Sequence, residues 1–494
     1  MIPPIALDPS VAFRQTESLL VLSDVHLGSD LNDHPQPAGF GKRSRRVDRD
    51  LVGMIDHYRR TPPPSGARWR IVFAGDFVDF IGIAILPTTE TLSTEPSLEE
   101  REHGLGNAAD HALAKIRRVA ERHSDVFAAL AAFLADGHAM TIVHGNHDVE
   151  FHWETVQNEM RALVVAHAAS ALSDRVAAAI AERIDFAPLF FWAEGVAYIE
   201  HGHQYDAMCA NEHPLMPLSP LDPRRIARGF CDVLLRFVVR PTRGLREHGH
   251  ENMGIFGYLA FGAGLGARGL IGLGVSFARA IIEMFRLRSE WIGKAAVARA
   301  KAIREEHERR LAQFAIARRL DLSRITALLA LHERPIIRTI HGILGSLLID
   351  RLALALTSIV LLAIVGAFAT HHMSLWFVVA ALVAGWVTTH RYLARQRKID
   401  PVDALRERAG RLATLFPAAF VVMGHTHVPA KIPLAEGQST YINVGSWAEE
   451  EDQADVSGGY KAARTHLVIH TAESGPVAEF LTWESEIGPK RFGG

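Results

Sequence analysis

Short apolar runs recur along the chain, and each ends on a polar cluster. The runs are Ser18-Leu19-Leu20-Val21-Leu22, Trp69-Arg70-Ile71-Val72-Phe73-Ala74, Met140-Thr141-Ile142-Val143, Val196-Ala197-Tyr198-Ile199-Glu200 and Ala419-Phe420-Val421-Val422-Met423. All are rich in β-branched or aromatic residues and too short to favour a helix, so each is predicted to be a strand. Their apolarity is continuous rather than alternating, which suits strands buried on both faces of a sheet.

Two longer apolar patterns lie between the fourth and fifth runs. Gly254 to Phe285 is apolar except for Arg268, Arg279 and Glu283, and is dense in glycine. Leu352 to Thr370 gives 19 consecutive uncharged residues. As a helix that stretch would be about 28 Å long, close to the ~30 Å of a bilayer core. After His371-His372-Met373, Ser374 to Thr389 adds 16 more, with Trp376 and Trp386 near the ends. Arg334, Arg338 and Arg351 precede this pair, and Arg391, Arg395, Arg397 and Lys398 follow it. Basic flanks on both sides predict a helical hairpin, 352–389, dipping into or through a membrane from its cytoplasmic face.

Charge sharpens that picture. The 494-residue chain carries a net charge of −2, yet Leu221 to Ile340 holds 22 basic residues, 20 of them Arg, against 11 acidic ones. Such asymmetry points to an anionic partner, and the glycine-rich stretch is expected to lie at a bilayer surface with arginines facing lipid phosphates. Glu290 to Arg319 reads as a solvated helix, and Ala84 to Asn107 as a loop at the mouth of a site. Cys209 and Cys231 are the only cysteines, so a disulfide framework is not expected and a reducing compartment fits. Met1 to Ser10 lacks a basic region followed by an apolar core, so no signal peptide is expected there. A mean hydropathy of +0.08 is high for a soluble enzyme.

The chemistry sits in the polar clusters: Asp24-Val25-His26; Gly75-Asp76 with Asp79; Gly145-Asn146-His147-Asp148; His201-Gly202-His203; and Gly424-His425-Thr426-His427. Hard oxygen and imidazole nitrogen without thiolate suit a pair of divalent metals such as Mn²⁺, Fe or Zn²⁺. In open layered folds, sites form beyond the carboxyl ends of strands, where every one of these clusters is expected. Two cations about 3.5–4 Å apart would turn a water into hydroxide for in-line attack on phosphorus. Asp79, Asp148 and His203 read as groups that orient the ligands. Gln204, Tyr205 and Asn211 stay polar beside the metals and are candidate substrate contacts. His34, His57, His103, His111 and His152 are scattered and read as non-ligands.

The ordered motifs D-x-H, GDxxD, GNHD, a lone His and GHxH resemble those of the calcineurin-like metallophosphoesterases over roughly residues 18–206 and 400–450. The resemblance implies an α/β chain whose catalytic part is a two-sheet β-sandwich flanked by helices. It implies one metal on Asp24, His26 and His427, another on Asn146, His201 and His425, and Asp76 bridging them, with Mn²⁺ favoured among the metals. His147 would face the phosphate or protonate the leaving group. The expected layout is a catalytic domain in two parts, 1–220 and 400–494, interrupted by an all-helical, membrane-associated insertion over 221–399.

A membrane-facing insertion beside such a centre favours a phosphoester or pyrophosphate of a lipid or nucleotide-lipid. Within the family this is similar to the UDP-2,3-diacylglucosamine pyrophosphatases, although those are usually much shorter and commonly have Arg where this chain has His147. Two other classes stand beside it. One is a nuclease or cyclic-nucleotide phosphodiesterase with an arginine-rich nucleic-acid surface, less favoured because long apolar spans fit lipid better. The other is a membrane scaffold with a vestigial site. Apolar insertions often dimerise, so a homodimer is an expected assembly.

Overall fold

The computed structural model describes residues 17–33, 40–64, 66, 68–87, 92–168, 173–242, 264–289, 294–346, 349–368, 372–395, 401–434, 439–448 and 464–492. It is a mixed α/β architecture built on two sheets. Its strands are β1 (Glu17–Leu22), β2 (Arg68–Ala74), β3 (Ala139–Val143), β4 (Ile184–Ala187), β5 (Phe191–Ala193), β6 (Gly195–Ile199), β7 (Ala418–Met423), β8 (Ala430–Pro433), β9 (Thr440–Asn443), β10 (Thr465–Ala472), β11 (Gly475–Glu484) and β12 (Gly488–Arg491). The five predicted strands are β1, β2, β3, β6 and β7, each within a residue of its expected bounds.

One sheet runs β12-β11-β10-β1-β2-β3-β4, and the other β5-β6-β7-β9-β8. β1 to β4 are parallel, as are β6, β7 and β9. Continuous apolarity has a simple cause here. Alternate residues of one strand enter two different cores. Leu19, Val21, Val72, Ala74 and Val143 pack between the sheets against Ile199, Phe420, Val422 and Ile442. Leu20, Leu22, Ile71, Phe73, Met140 and Ile142 face the other way, into a helical layer. Parallel strands need long crossovers, and those crossovers are the helices that cover the outer faces.

The first layer comprises α1 (Phe40–Arg60), α2 (Leu98–His103), α3 (Ala109–Arg122), α4 (Ser124–Ala135), α5 (Glu154–Ala166) and α6 (Asp174–Ala181). α2 lies inside the segment read as a loop. Ser97 and Glu100 form a reciprocal capping box that starts this single-turn helix, a signal present in the sequence as Ser-x-x-Glu. Between the adjacent strands β6 and β7 come α7 (Phe230–Leu234, continued by a π turn Leu235–Val239), α8 (Gly266–Ser289), α9 (Lys294–Ala317), α10 (Leu322–Leu329), α11 (Ile340–Ser346), α12 (Ile349–Phe368), α13 (His372–Arg395) and α14 (Pro401–Leu415).

The expectation of a solvated helix over 290–319 is corrected. Leu311, Phe314 and Ala315 of α9 join Ile325 and Leu328 of α10 and Leu405, Ala409 and Leu412 of α14 against Tyr198, Val421 and Met423 of the second sheet. Part of the 221–399 segment therefore completes the second helical layer rather than standing apart from it. Arg310 is buried there and donates to the Leu215 carbonyl.

Several arginines between β6 and β7 are paired within the fold. Arg225 pairs with Glu100, and Arg228 and Arg236 both pair with Glu99. Arg240 donates to the Ile81 carbonyl and Arg338 pairs with Glu212. Arg225, Arg228, Arg236 and Arg240 thereby join the segment after β6 to the loop after β2. Buried guanidinium groups demand partners, and the α2 turn provides them.

α8 keeps one face on a small core with Phe230, Val233, Phe237 and Ile343, through Ala280, Met284 and Leu287. Its other face leaves Leu270, Ile271, Val275 and Ile282 exposed. Residues 254–263 of the glycine-rich stretch lie outside the described residues. α12 and α13 pair as predicted, with Arg351 donating to the His390 carbonyl. Among the described residues no helix is long and apolar enough to cross a membrane, so the spanning form of the hairpin is not retained. Asp350 and Arg351 occupy the first turn of α12, and His390 and Arg391 the last turns of α13.

Candidate metal centre

Each polar cluster occupies the loop leaving the carboxyl end of its strand, and the backbone ties these loops together. Asp24 N donates to Gly75 O at 3.2 Å, His26 N to Asp76 O at 2.9 Å and Gly424 N to His201 O at 3.0 Å. Glycine is required where a ligand comes close. A Cβ on Gly145 would lie 2.0 Å from Asp76 Oδ1, and one on Gly75, at φ +89°, would lie 2.4 Å from the His201 ring.

The loops are also strained. Among the described residues seven non-glycine positions have positive φ, and five of these are candidate ligands: Asp24, His26, Asp76, His425 and His427. Such a conformation costs about 1–3 kcal/mol per residue and persists only where surrounding structure imposes it. Its concentration in one place marks a site rather than a packing accident.

Asp24 Oδ1 lies 3.0 Å from His427 Nε2 and 3.8 Å from His26 Nε2. Asp76 Oδ2 lies 3.9 Å from His26 Nε2 and 3.1 Å from His201 Nε2. Asn146 Oδ1 is 3.1 Å from His201 Nε2, and the His425 ring centroid is 5.2 Å from that of His201. All seven expected ligands are thus brought together, and Asp76 reaches both halves of the set. Asp24, His26 and His427 form one group able to hold an ion, and Asp24, Asp76 and His201 another.

Electrostatics agree with a cation site. Burial alone would raise the Asp24 carboxyl, but the His427 and His201 imidazoles outweigh it and hold it well below the usual carboxylate range. Asp76 is likewise buried, and His201 and His147 keep it well below that range. Both therefore remain anionic oxygen donors. Together with imidazole and amide ligands they form an O/N set that fits divalent Mn²⁺, Fe or Zn²⁺.

The residues expected to orient the ligands lie around the set. Asp79 Oδ1 lies 2.6 Å from His147 Nδ1 and also accepts from Gly82 N. His147 N donates to Asp76 Oδ1 at 2.8 Å. Burial disfavours charge on His147, but Asp79 and Asp76 overcome this and push its pKa up to about 10. Asp148 accepts from Gly145 N and Phe77 N, binding two of the loops to each other. Burial and the Asp76 charge push Asp148 up to about 7. His203 packs beside His201, and burial holds its pKa well below the usual value.

The three candidate substrate contacts divide. Asn211 lines a cavity of about 50 Å³ beside Asn146, together with Lys115, Glu150, Arg228 and Asp232. Gln204 is engaged internally, its Oε1 accepting from Asn211 N. Tyr205 is corrected: it packs into the apolar cluster behind the second sheet and is only 2% exposed. Three further side chains brace the candidate ligand loops. Asn443 Nδ2 donates to Gly424 O at 2.7 Å and to Thr426 Oγ1 at 3.0 Å, bracing the last ligand loop. Ser446 Oγ donates to Asp24 O. Asp206 Oδ2 lies 3.1 Å from His425 Nε2. Asn443 closes β9, on the loop side of which it meets Gly424 and Thr426.

The chain matches no protein-family model and no curated protein.

Proposed function

We propose that this chain is a dinuclear-metal phosphoesterase that hydrolyses a phosphoester or pyrophosphate bond. The observation that carries the reading is the reach of Asp76 Oδ2, within 3.9 Å of His26 Nε2 on one side and 3.1 Å of His201 Nε2 on the other. One ion would be held by Asp24, His26 and His427, the other by Asn146, His201 and His425, with Asp76 shared. When bound, the two cations supply an activated water and offset charge on the phosphoryl oxygens.

The chain's own residues supply the rest. Asp24 and Asp76, kept anionic, attract and fix the cations. Asp79 orients His147 through Nδ1, so that Nε2 is the nitrogen available to the substrate. There it donates to a phosphoryl oxygen or gives a proton to the departing oxygen. Both roles need the same orientation, which is why Asp79 belongs to the machinery.

We further propose that the substrate is lipid-linked and that the chain works at the cytoplasmic face of a membrane, through the surface of α8, α12 and α13. Leu356, Ile359, Val360, Leu361, Trp376, Phe377, Val383 and Trp386 are all at least 40% exposed. A helix pair apolar around most of its circumference calls for an apolar environment on several sides. Ser358 and Thr388 return their hydroxyls to carbonyls of their own helices, which lowers the polarity of that surface. Arg225, Arg228 and Arg236 are paired with carboxylates, so these three offer little charge to a nucleic acid.

The test is Mn²⁺-dependent turnover of bis-p-nitrophenyl phosphate by the purified chain. We expect activity in the wild type and none in Asp76→Ala. Full activity in Asp76→Ala, or no wild-type activity with any of Mn²⁺, Fe²⁺ and Zn²⁺, would overturn the reading.

A further inference from the structure

Asp206 follows His201 by five residues, directly after the 3-10 turn His203–Tyr205. Its carboxylate is aimed in two directions. Oδ1 accepts from Met208 N at 2.9 Å, and Oδ2 faces His425 Nε2 at 3.1 Å. His425 is held from the other side as well, since its backbone N donates to Asp24 Oδ2 at 3.1 Å. The imidazole is thus located by two carboxylates, one through the ring and one through the main chain.

This arrangement has a consequence for the ring. A neutral imidazole carries one N–H and one lone pair. With Nε2–H directed at Asp206, the lone pair resides on Nδ1, the nitrogen on the opposite side of the ring from the carboxylate. We propose that Asp206 is a positioning residue that selects this tautomer and presents His425 Nδ1 to the second ion. The proposal rests on the metal-centre reading above.

The chain after β6 extends the support. Ile336 N donates to Ala207 O at 2.7 Å and Glu333 N to Gln204 O at 2.8 Å. Residues returning from the insertion thus clamp the two ends of the segment that carries Asp206. The insertion therefore acts on the centre through one carboxylate, without contributing a ligand. A competing arrangement exists, because Asp206, Cys209 and His425 also lie close enough to hold an ion by themselves.

Ion stoichiometry and affinity separate these readings. Full-length wild type, Asp206→Asn and Asp206→Ala are each titrated with Mn²⁺ by calorimetry, and bound metal is counted after desalting. We expect two ions in the wild type. Loss of a ligand's hydrogen-bond partner typically costs ~10–100-fold in metal affinity. One of the two ions should therefore lose about 100-fold in Asp206→Ala and about tenfold in Asp206→Asn, whose amide oxygen still accepts from Nε2. The other ion should be unchanged. A purely structural role would lower the melting temperature and leave both affinities intact, which overturns the proposal. Three ions in the wild type and two in Asp206→Ala would make Asp206 a ligand and also overturn it. No ion in the wild type would sink the metal-centre reading and this inference together. Should Asp206→Ala not fold, wild-type affinity in Asp206→Asn is sufficient to reject the proposal.

Discussion

His147 Nδ1 lies 2.6 Å from Asp79 Oδ1, and both side chains are almost fully buried. The carboxylate is anchored in turn by Gly82 N, so it acts as a fixed strut rather than a mobile counter-ion. A ring held this way presents Nε2 in one direction only.

The first prediction follows from that strut. Asp79→Ala should lower kcat by about 10–100-fold while two ions per chain are retained. His147→Ala should cost about 10²–10⁴-fold on an alkyl leaving group and far less on p-nitrophenolate, which departs without a proton. Equal losses on both leaving groups would reduce His147 to a phosphate donor.

Gly145 should be intolerant of any side chain. A Cβ would stand 2.0 Å from Asp76 Oδ1 and 2.5 Å from Asp76 N, so Gly145→Ala must displace the shared carboxylate or its loop. We expect bound metal to fall below two ions per chain, with the circular dichroism of the fold preserved. Wild-type metal content in Gly145→Ala would show that the loop can yield.

Acid should loosen the joint between the α2 turn and the segment before α7. Burial opposes ionisation of Glu100, but Arg225 and the Ser97 backbone outweigh it and bring its pKa from 4.5 down to about 2. A carboxylate depressed in the folded state stabilises fully above its unfolded pKa and loses that contribution as pH falls through the folded one. The window is therefore about pH 4.5 to 2. Glu100→Gln should be less stable than wild type at pH 7, on the order of 2 kcal/mol. Denaturant titrations should show that difference shrinking steadily below pH 4.5. A difference that is constant with pH would remove the ion pair as its cause.

The exposed apolar side chains of α13 should bind a bilayer surface. Trp376 and Phe377 are 73% and 74% exposed, and burying each is worth about 1.5–3 kcal/mol. The double substitution Trp376→Ser, Phe377→Ser should weaken co-sedimentation with anionic vesicles by at least about tenfold, while turnover of a water-soluble diester stays unchanged. Undiminished vesicle binding would reject this face as the docking surface.

Much of the architecture was legible beforehand because of local rules. β-branched runs too short for a helix became β1, β2, β3, β6 and β7 within a residue of their predicted ends. The candidate ligand residues were legible because metal chemistry restricts residue type, and strand ends restrict position. The partners of the arginines were not legible, for the opposite reason. A guanidinium reads the same whether it faces a lipid phosphate or Glu99, and only the packing of α7 against the α2 turn distinguishes them. α9 misled similarly, since its charged residues outnumber the few apolar ones that bury against α10 and α14.

The sequence by itself determined which atoms are present at the ends of the strands: carboxylate, imidazole and amide, interleaved with the glycines that let them approach. Only the tertiary structure decided which of those atoms meet. Asp24 and His427 stand 3.0 Å apart although they lie at opposite ends of the chain, because β1 and β7 belong to two sheets pressed together by one shared core. Long-range meetings of this kind depend on the summed burial of many side chains, which no short stretch of sequence encodes.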